Sequence, residues 1–233
     1  MSTSYAKRVR SLLTAEETQI FRRLTSPRLI QDFIDSLAIN MEHDALTYMS
    51  PRRVLRTRQA HCLEGAIFAA AVLAFHGERP LLLDFQAAYH DEDHVIALFC
   101  ANGHWGAISK TNHPGLRYRD PVHSSTRSLA ASYFHEYYMW DGRKSLRAFS
   151  KPFDLSRYAP ETWVTAEEDL DRLVHALDTS AHIAIVPEGN LRMLRPASAF
   201  EIHASAAVEW LEDGSRAPIT RRNARGSPAD GAS

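Results

Sequence analysis

The ten residues 66–75, AIFAAAVLAF, carry no polar side chain, and they constrain the fold more than any other stretch. A helix built from them has no face to offer water, so the rest of the chain must cover it on every side. Ten residues fall far short of the ~20 needed to cross a bilayer, so this is a core helix. Gly77 ends it, because glycine enters the left-handed conformation without steric cost. With 233 residues, 45% of them hydrophobic, the chain is long enough to bury such a helix inside one domain.

Cys62 stands at the mouth of that helix, in RQAHCLEG. Unpaired backbone N–H groups and the positive end of the helix dipole favour a thiolate there. The plain alternative is a small buried hydrophobe, the usual role of a free cysteine. Cys62 and Cys100 are the two cysteines, and neither belongs to a CxxC pair, which excludes a zinc ribbon and a thioredoxin-like motif. The opening residues MSTSYAKRVRSLLTAEETQ hold no apolar signal core, so a cytoplasmic location and two reduced thiols are expected. Twenty-seven basic residues balance twenty-eight acidic ones, so the whole-chain charge offers no reason to bind nucleic acid or an anionic membrane.

The flanking pattern predicts an α+β domain, with helices packed on an antiparallel sheet. Thr14 and Glu17 form a capping box for a helix over residues 16–24. Ser26-Pro27 opens another helix, whose Leu29, Ile30, Phe33, Ile34 and Leu37 share one face. Arg52, Arg53, Arg56 and Arg58 form either a solvated surface or a cationic rim. After Gly77 the period changes. Residues 80–86 and 93–100 read as buried strands, and Asn102-Gly103 as a type I′ hairpin turn into a strand over 104–109. Residues 116–122 read as a further strand, and 129–138 as an aromatic-rich helix. Thr165 and Glu168 mark a second capping box, for a helix reaching Asp178. Residues 182–187 read as a strand, NLRMLRP as another, and AFEIHASAAVEWL as a last short helix. The organisation expected is N-terminal helices over residues 1–49, a catalytic domain with a C-terminal extension over 50–212, and a polar, disordered tail over 213–233.

A cysteine at a helix start, a histidine opening a strand and a later carboxylate is the order needed for a thiol nucleophile. The thiolate attacks an acyl carbon, the imidazole carries the proton, and a third group fixes the imidazole tautomer. The candidates are Cys62, His94 and Asp120. The tract His90-Asp91-Glu92-Asp93-His94 has metal-ligand residue types, but Asp91 and Asp93 point away from the two histidines on a strand, and no metal site is assigned.

HCLEGAIFAAAVLAFHG, followed by DHVIALF, NGHWGAI and RDP, resembles the core of the transglutaminase-like superfamily of papain-type cysteine enzymes over residues 50–122. The resemblance implies a Cys-His-Asp triad on Cys62, His94 and Asp120, with Gly103 and Trp105 as its Gly-x-Trp and Pro121 after the acid. In that family the acid follows the tryptophan by only a few residues, which here are Ser109 and Lys110. Asp120 lies much farther on. Hairpin register sets His94 opposite Thr111, beside Asn112, so Asn112 and Asp120 compete as orienter. Asp120 is preferred, because a carboxylate stabilises the imidazolium.

The Cys62 N–H is the expected oxyanion donor, with the Gln59 side chain a second. By resemblance Trp105 walls the acyl pocket. Glu64 either closes a cap or lines the cleft. The expected function is a thiol-dependent hydrolase or transferase acting on a peptide, amide or ester through a thioester, with no cofactor. Cys62-Leu63-Glu64 is also distantly similar to arylamine N-acetyltransferases, and a non-catalytic binding or assembly module on the same fold is the alternative from another class.

Overall fold

The computed structural model describes residues 3–41 and 46–218. Helices α1 (Thr3–Leu12), α2 (Ala15–Arg23) and α3 (Pro27–Asp35) are followed by β1 (Ala38–Ile39), α4 (Pro51–Thr57), β2 (Gln59–Ala60) and α5 (Cys62–His76). Next come β3 (Leu81–Ala87), β4 (His94–Ala101), β5 (His104–Ile108), β6 (Arg119–His123) and α6 (Thr126–Tyr133). The chain then forms β7 (Leu146–Ser150), β8 (Phe153–Asp154), α7 (Asp171–Asp178), β9 (His182–Ala184) and α8 (Ala199–Ser205). Strands β6-β5-β4-β3-β7-β9 form one sheet, with β8 also on β3, and every pair in it is antiparallel. The class is therefore α+β, helices on an antiparallel sheet. Strands β1 and β2 make a separate two-stranded parallel ladder.

Helix α5 is covered on all sides, as its lack of polar residues demands. Every residue from Leu63 to Phe75 is buried. The sheet covers one side through β3 and β4, and α1, α3 and α4 cover the rest. Each large side chain hidden this way, such as Ile67 or Phe68, contributes about 1.5–3 kcal/mol relative to exposure. Tyr5, Val9, Phe21, Ile30 and Ile34 of the N-terminal helices belong to the same apolar cluster as α5, so these helices are packed on the core. No helix among the described residues is long and apolar enough to cross a membrane.

Period-two alternation divides β4 between the two faces of the sheet. Val95, Ala97 and Phe99 join the α5 cluster. Ile96 and Leu98 join a second cluster with Leu129, Ala130 and Tyr133 of α6. Asn102 and Gly103, at φ 51° and 77°, make the two-residue turn that sets β4 on β5 with Ala101 opposite His104 and Ala97 opposite Ile108.

Several expectations need correction. Thr165 caps nothing; α7 starts at Asp171, behind Leu170. Glu167 and Asp169 are instead drawn into ion pairs with Arg56 and Arg53. NLRMLRP is not a strand: Glu188–Met193 is a 3-10 turn. Strand β7 had no sequence signal, since LRAFS is short, interrupted by Arg147 and followed by Lys-Pro. The chain stays ordered past Asp213, where Arg216 pairs with Glu209 and donates to the Asp35 carbonyl. The rest of the expected disordered tail, from 219, lies outside the described residues.

Candidate active site

Cys62 is the first residue of α5 and is half-buried. His61, before it, adopts extended backbone as the N-cap, and its Nδ1 accepts from the Leu63 N–H at 3.3 Å. Its Nε2 donates to the Thr47 carbonyl at 2.8 Å. Glu64 closes the cap from the other side, accepting the His61 N–H at 3.0 Å. The Glu64 side chain is fully buried. It is compensated by Thr47 Oγ1 at 2.8 Å, the Met49 N–H at 3.0 Å and Asn40 Nδ2 at 3.1 Å. A buried carboxylate needs that many donors to offset its lost hydration.

His94 opens β4, is buried, and stacks on Phe85 of β3 with 6.5 Å between centroids. The loop leading to it is pinned at three points. Asp93 accepts the Ala87 N–H at 2.7 Å, Asp91 accepts from the Ser145 hydroxyl, and the Tyr137 hydroxyl donates to the Glu92 carbonyl. These bonds employ two of the carboxylates considered as metal ligands, and no group of three or more such residues able to hold a metal occurs among the described residues.

The side chain that meets His94 is Ser109, immediately after β5. His94 Nε2 lies 2.9 Å from Ser109 Oγ, and that hydroxyl donates its one proton to the Leu116 carbonyl at 2.5 Å. Towards His94 the serine is therefore an acceptor, so Nε2 carries a proton and Nδ1 is the ring nitrogen left for Cys62. Register explains the meeting: Ile96 is opposite Ser109 if the β4–β5 pairing is extended, so His94 lies diagonally across on the same face. The Ser109 backbone is held in turn by α3. Gln31 accepts its N–H at 2.9 Å and donates to its carbonyl at 2.8 Å. Gln31 was missed in the sequence; a polar residue one helical turn from Ile34 on the buried face of α3 was the available clue.

Asp120 is not brought to His94. Arg119 is opposite Ala107 and so shares the face of His94. Alternation turns Asp120 the other way, and it is exposed. Asn112 does not orient His94 either. Its Oδ1 accepts the Trp210 N–H at 2.8 Å and its Nδ2 donates to the Trp210 carbonyl at 3.0 Å, clasping the C-terminal segment. Gln59 pairs through its backbone with Ala38 and does not line the cleft. Trp105 packs on the α6 face of the sheet at the far end of β5. The arginines form no rim: Arg52 pairs with Glu17, Arg53 with Asp169 and Arg56 with Glu167. Arg58 lies over the Phe33 ring at 5.0 Å.

Cys62, His61 and His94 open onto one cleft of about 670 Å³, whose far wall is Tyr137, Tyr138, Trp140 and α8. Burial pushes the Cys62 thiol up, but hydrogen bonds to His61 and His94 and the charge of both rings outweigh it and hold the group well below the usual thiol value. At His61, burial favours the neutral ring; the Cys62 sulfur, Glu64 and the Thr47 carbonyl overcome it and raise the group to about 9. The arrangement can present a thiolate between two imidazoles, one of them steered by a serine.

No protein-family model matches the chain, and no curated protein does.

Proposed function

We propose that the chain is a thiol-dependent acyl hydrolase or transferase acting on amides or esters, related in plan to transglutaminase-like enzymes. One observation carries the reading: two histidines, His61 and His94, line one open cleft with a cysteine at the first turn of a buried helix. The Cys62 thiolate attacks the acyl carbon, and the Cys62 N–H at the helix start is placed to receive the developing oxyanion. His94, protonated on Nδ1, gives that proton to the departing amine or alkoxide, leaving a thioester on Sγ. The neutral ring then takes a proton from water or an acceptor amine, whose oxygen or nitrogen attacks the thioester carbon. Sγ departs as the thiolate, and His94 is again protonated. Ser109 replaces the carboxylate of a Cys-His-Asp set and holds the tautomer without adding charge. Both cysteines are free thiols, which suits a reducing, cytoplasmic setting.

The test is to incubate the protein with nitrophenyl esters and coumarin amides and map any adduct by peptide mass. A thioester confined to Cys62 and absent in Cys62→Ala is the expected outcome; with the nitrophenyl esters, whose leaving group departs without a proton, it should accumulate in His94→Asn because deacylation stalls. Acylation spread over Cys100 and surface lysines at the rate of free thiols and amines would refute the assignment.

A further inference from the structure

Cysteine enzymes of this kind use one imidazole, and the sequence offered His94 alone. His61, which precedes Cys62 in the chain and lines the same cleft, has better electrostatic support. Behind His94 stands the neutral Ser109 hydroxyl. Behind His61 stands the Glu64 carboxylate, with Oε1 3.5 Å from Nε2. The Thr47 carbonyl, 2.8 Å from the same Nε2, holds its proton in place. The one buried carboxylate at the head of α5 thus backs the histidine adjacent to Cys62 in sequence, not the one across the cleft.

Resting on the acyl-transfer reading above, we propose that His61, positioned by Glu64, is the resting counter-ion of the Cys62 thiolate, and that His94 is the ring that exchanges protons with substrate. The proton balance is direct. The S–H bond of Cys62 breaks and an N–H bond forms on His61 Nδ1, while Nε2 keeps its proton on the Thr47 carbonyl. The charge of cysteine, His61 and Glu64 together is unchanged, with the new imidazolium between two anions. Nδ1 has two uses: in the neutral ring it accepts the Leu63 N–H at 3.3 Å, a long bond for a cap, and once protonated it donates to Sγ. The proton on His94 comes from solvent and is the one that turns over.

Among the described residues, other titratable groups share the cleft with the pair, His113, Glu136 and Tyr138 among them. His94 approaches from β4, and Tyr137 follows α6. The Tyr48 ring stands edge-on to His61 at 6.5 Å. Asp91, Glu92, Asp93 and Lys110 line the same cleft. Glu64 is the carboxylate within 4 Å of the His61 ring among the described residues.

The experiment is the pH dependence of iodoacetamide labelling of Cys62 in the intact protein, His61→Asn and His94→Asn. Asparagine at 61 keeps a good cap acceptor but cannot become cationic. His61→Asn is expected to move the labelling midpoint up towards the ~8.5 of a free thiol and to slow labelling at pH 7 by about tenfold or more. His94→Asn is expected to move the midpoint up by less than His61→Asn does, while stalling thioester turnover. A parallel NMR titration of the histidine rings, before and after Cys62 is blocked with iodoacetamide, needs no substitution. His61 should titrate near 9 in the free protein and near or below its ordinary value once the sulfur is capped. A midpoint that follows His94 rather than His61, or a His61 ring already neutral at pH 7 in the free protein, overturns this division of labour. A Cys62 that labels only at the free-thiol midpoint in the unaltered protein overturns the acyl-transfer reading itself.

Discussion

At the scale of single residues, the third member of the site is the most instructive. Ser109 is fully buried and has its hydroxyl proton committed to the Leu116 carbonyl, so its lone pair is aimed at His94. Ser109→Ala removes the acceptor and leaves the His94 Nε2–H and the Leu116 carbonyl unsatisfied. The expected result is a loss of about 1–3 kcal/mol in chemical denaturation and an about ten- to hundredfold drop in thioester turnover. Cys62 labelling should fall far less, since alkylation needs only the thiolate. Turnover unchanged in Ser109→Ala would show that the serine does not steer the ring. Cys62 and His94 were legible because a helix start and a strand start are both written in local sequence. Family spacing also points at Ser109, but serine is not a carboxylate, and charge favours Asp120. What alternation does to Asp120 depends on the β5–β6 register, which includes a shift between Trp105 and Ala107 and leaves no mark in the sequence.

At the scale of elements, the site depends on how closely α5 approaches the end of β5. A Cβ built on Gly65 would lie 2.6 Å from Cβ and 3.3 Å from Cγ of Lys110. Lys110 cannot swing away, because it is buried and its Nζ donates to the Leu37 carbonyl at 2.6 Å. Gly65→Ala would favour the isolated helix by about 1 kcal/mol. In the protein the overlap should reverse that sign, giving a net loss of about 1–3 kcal/mol in denaturant. The same displacement carries Cys62 away from Ser109 and His94, so acylation should slow; a stabilised, fully active variant would contradict the close approach. The core helix, the β4–β5 hairpin and both early helices were legible because each repeats one periodicity long enough to count. Strand β7 and the true start of α7 were not, because tertiary partners decide them: β7 forms by pairing with β3 and β9, and the acids before α7 serve arginines of α4.

At the scale of the whole molecule, buried ionisable groups set the pH range of stability. Asp84, on β3, accepts from His182 of β9 at 2.9 Å. Its burial, only partly offset by that histidine, raises the carboxyl to about 6. Because the folded value lies above the unfolded one, this group's contribution is fully present below about pH 4 and is lost as pH rises through about 6, by up to about 3 kcal/mol. Lys110 is lowered to about 8 by burial. The folded state therefore sheds that proton early, and stability is regained only above about pH 8. Asp84→Asn should gain stability over the unaltered protein at pH 7 and lose that advantage at pH 4, measured as the difference between their melting temperatures. A difference that does not vary with pH would mean that Asp84 is ionised throughout.

The complete enclosure of α5 also bears on how the chain can be made. Its cover comes from both directions along the sequence: α1, α3 and α4 precede it, whereas β3 and β4 follow. During synthesis the helix therefore emerges onto a half-built cradle, with one apolar flank open until the β4–β5 hairpin has been added. A chain stopped between Gly77 and that hairpin would display the greasiest ten residues of the protein to its surroundings. Fragments ending there should be the aggregation-prone ones, and the tight two-residue turn at Asn102-Gly103 is the device that shortens the wait.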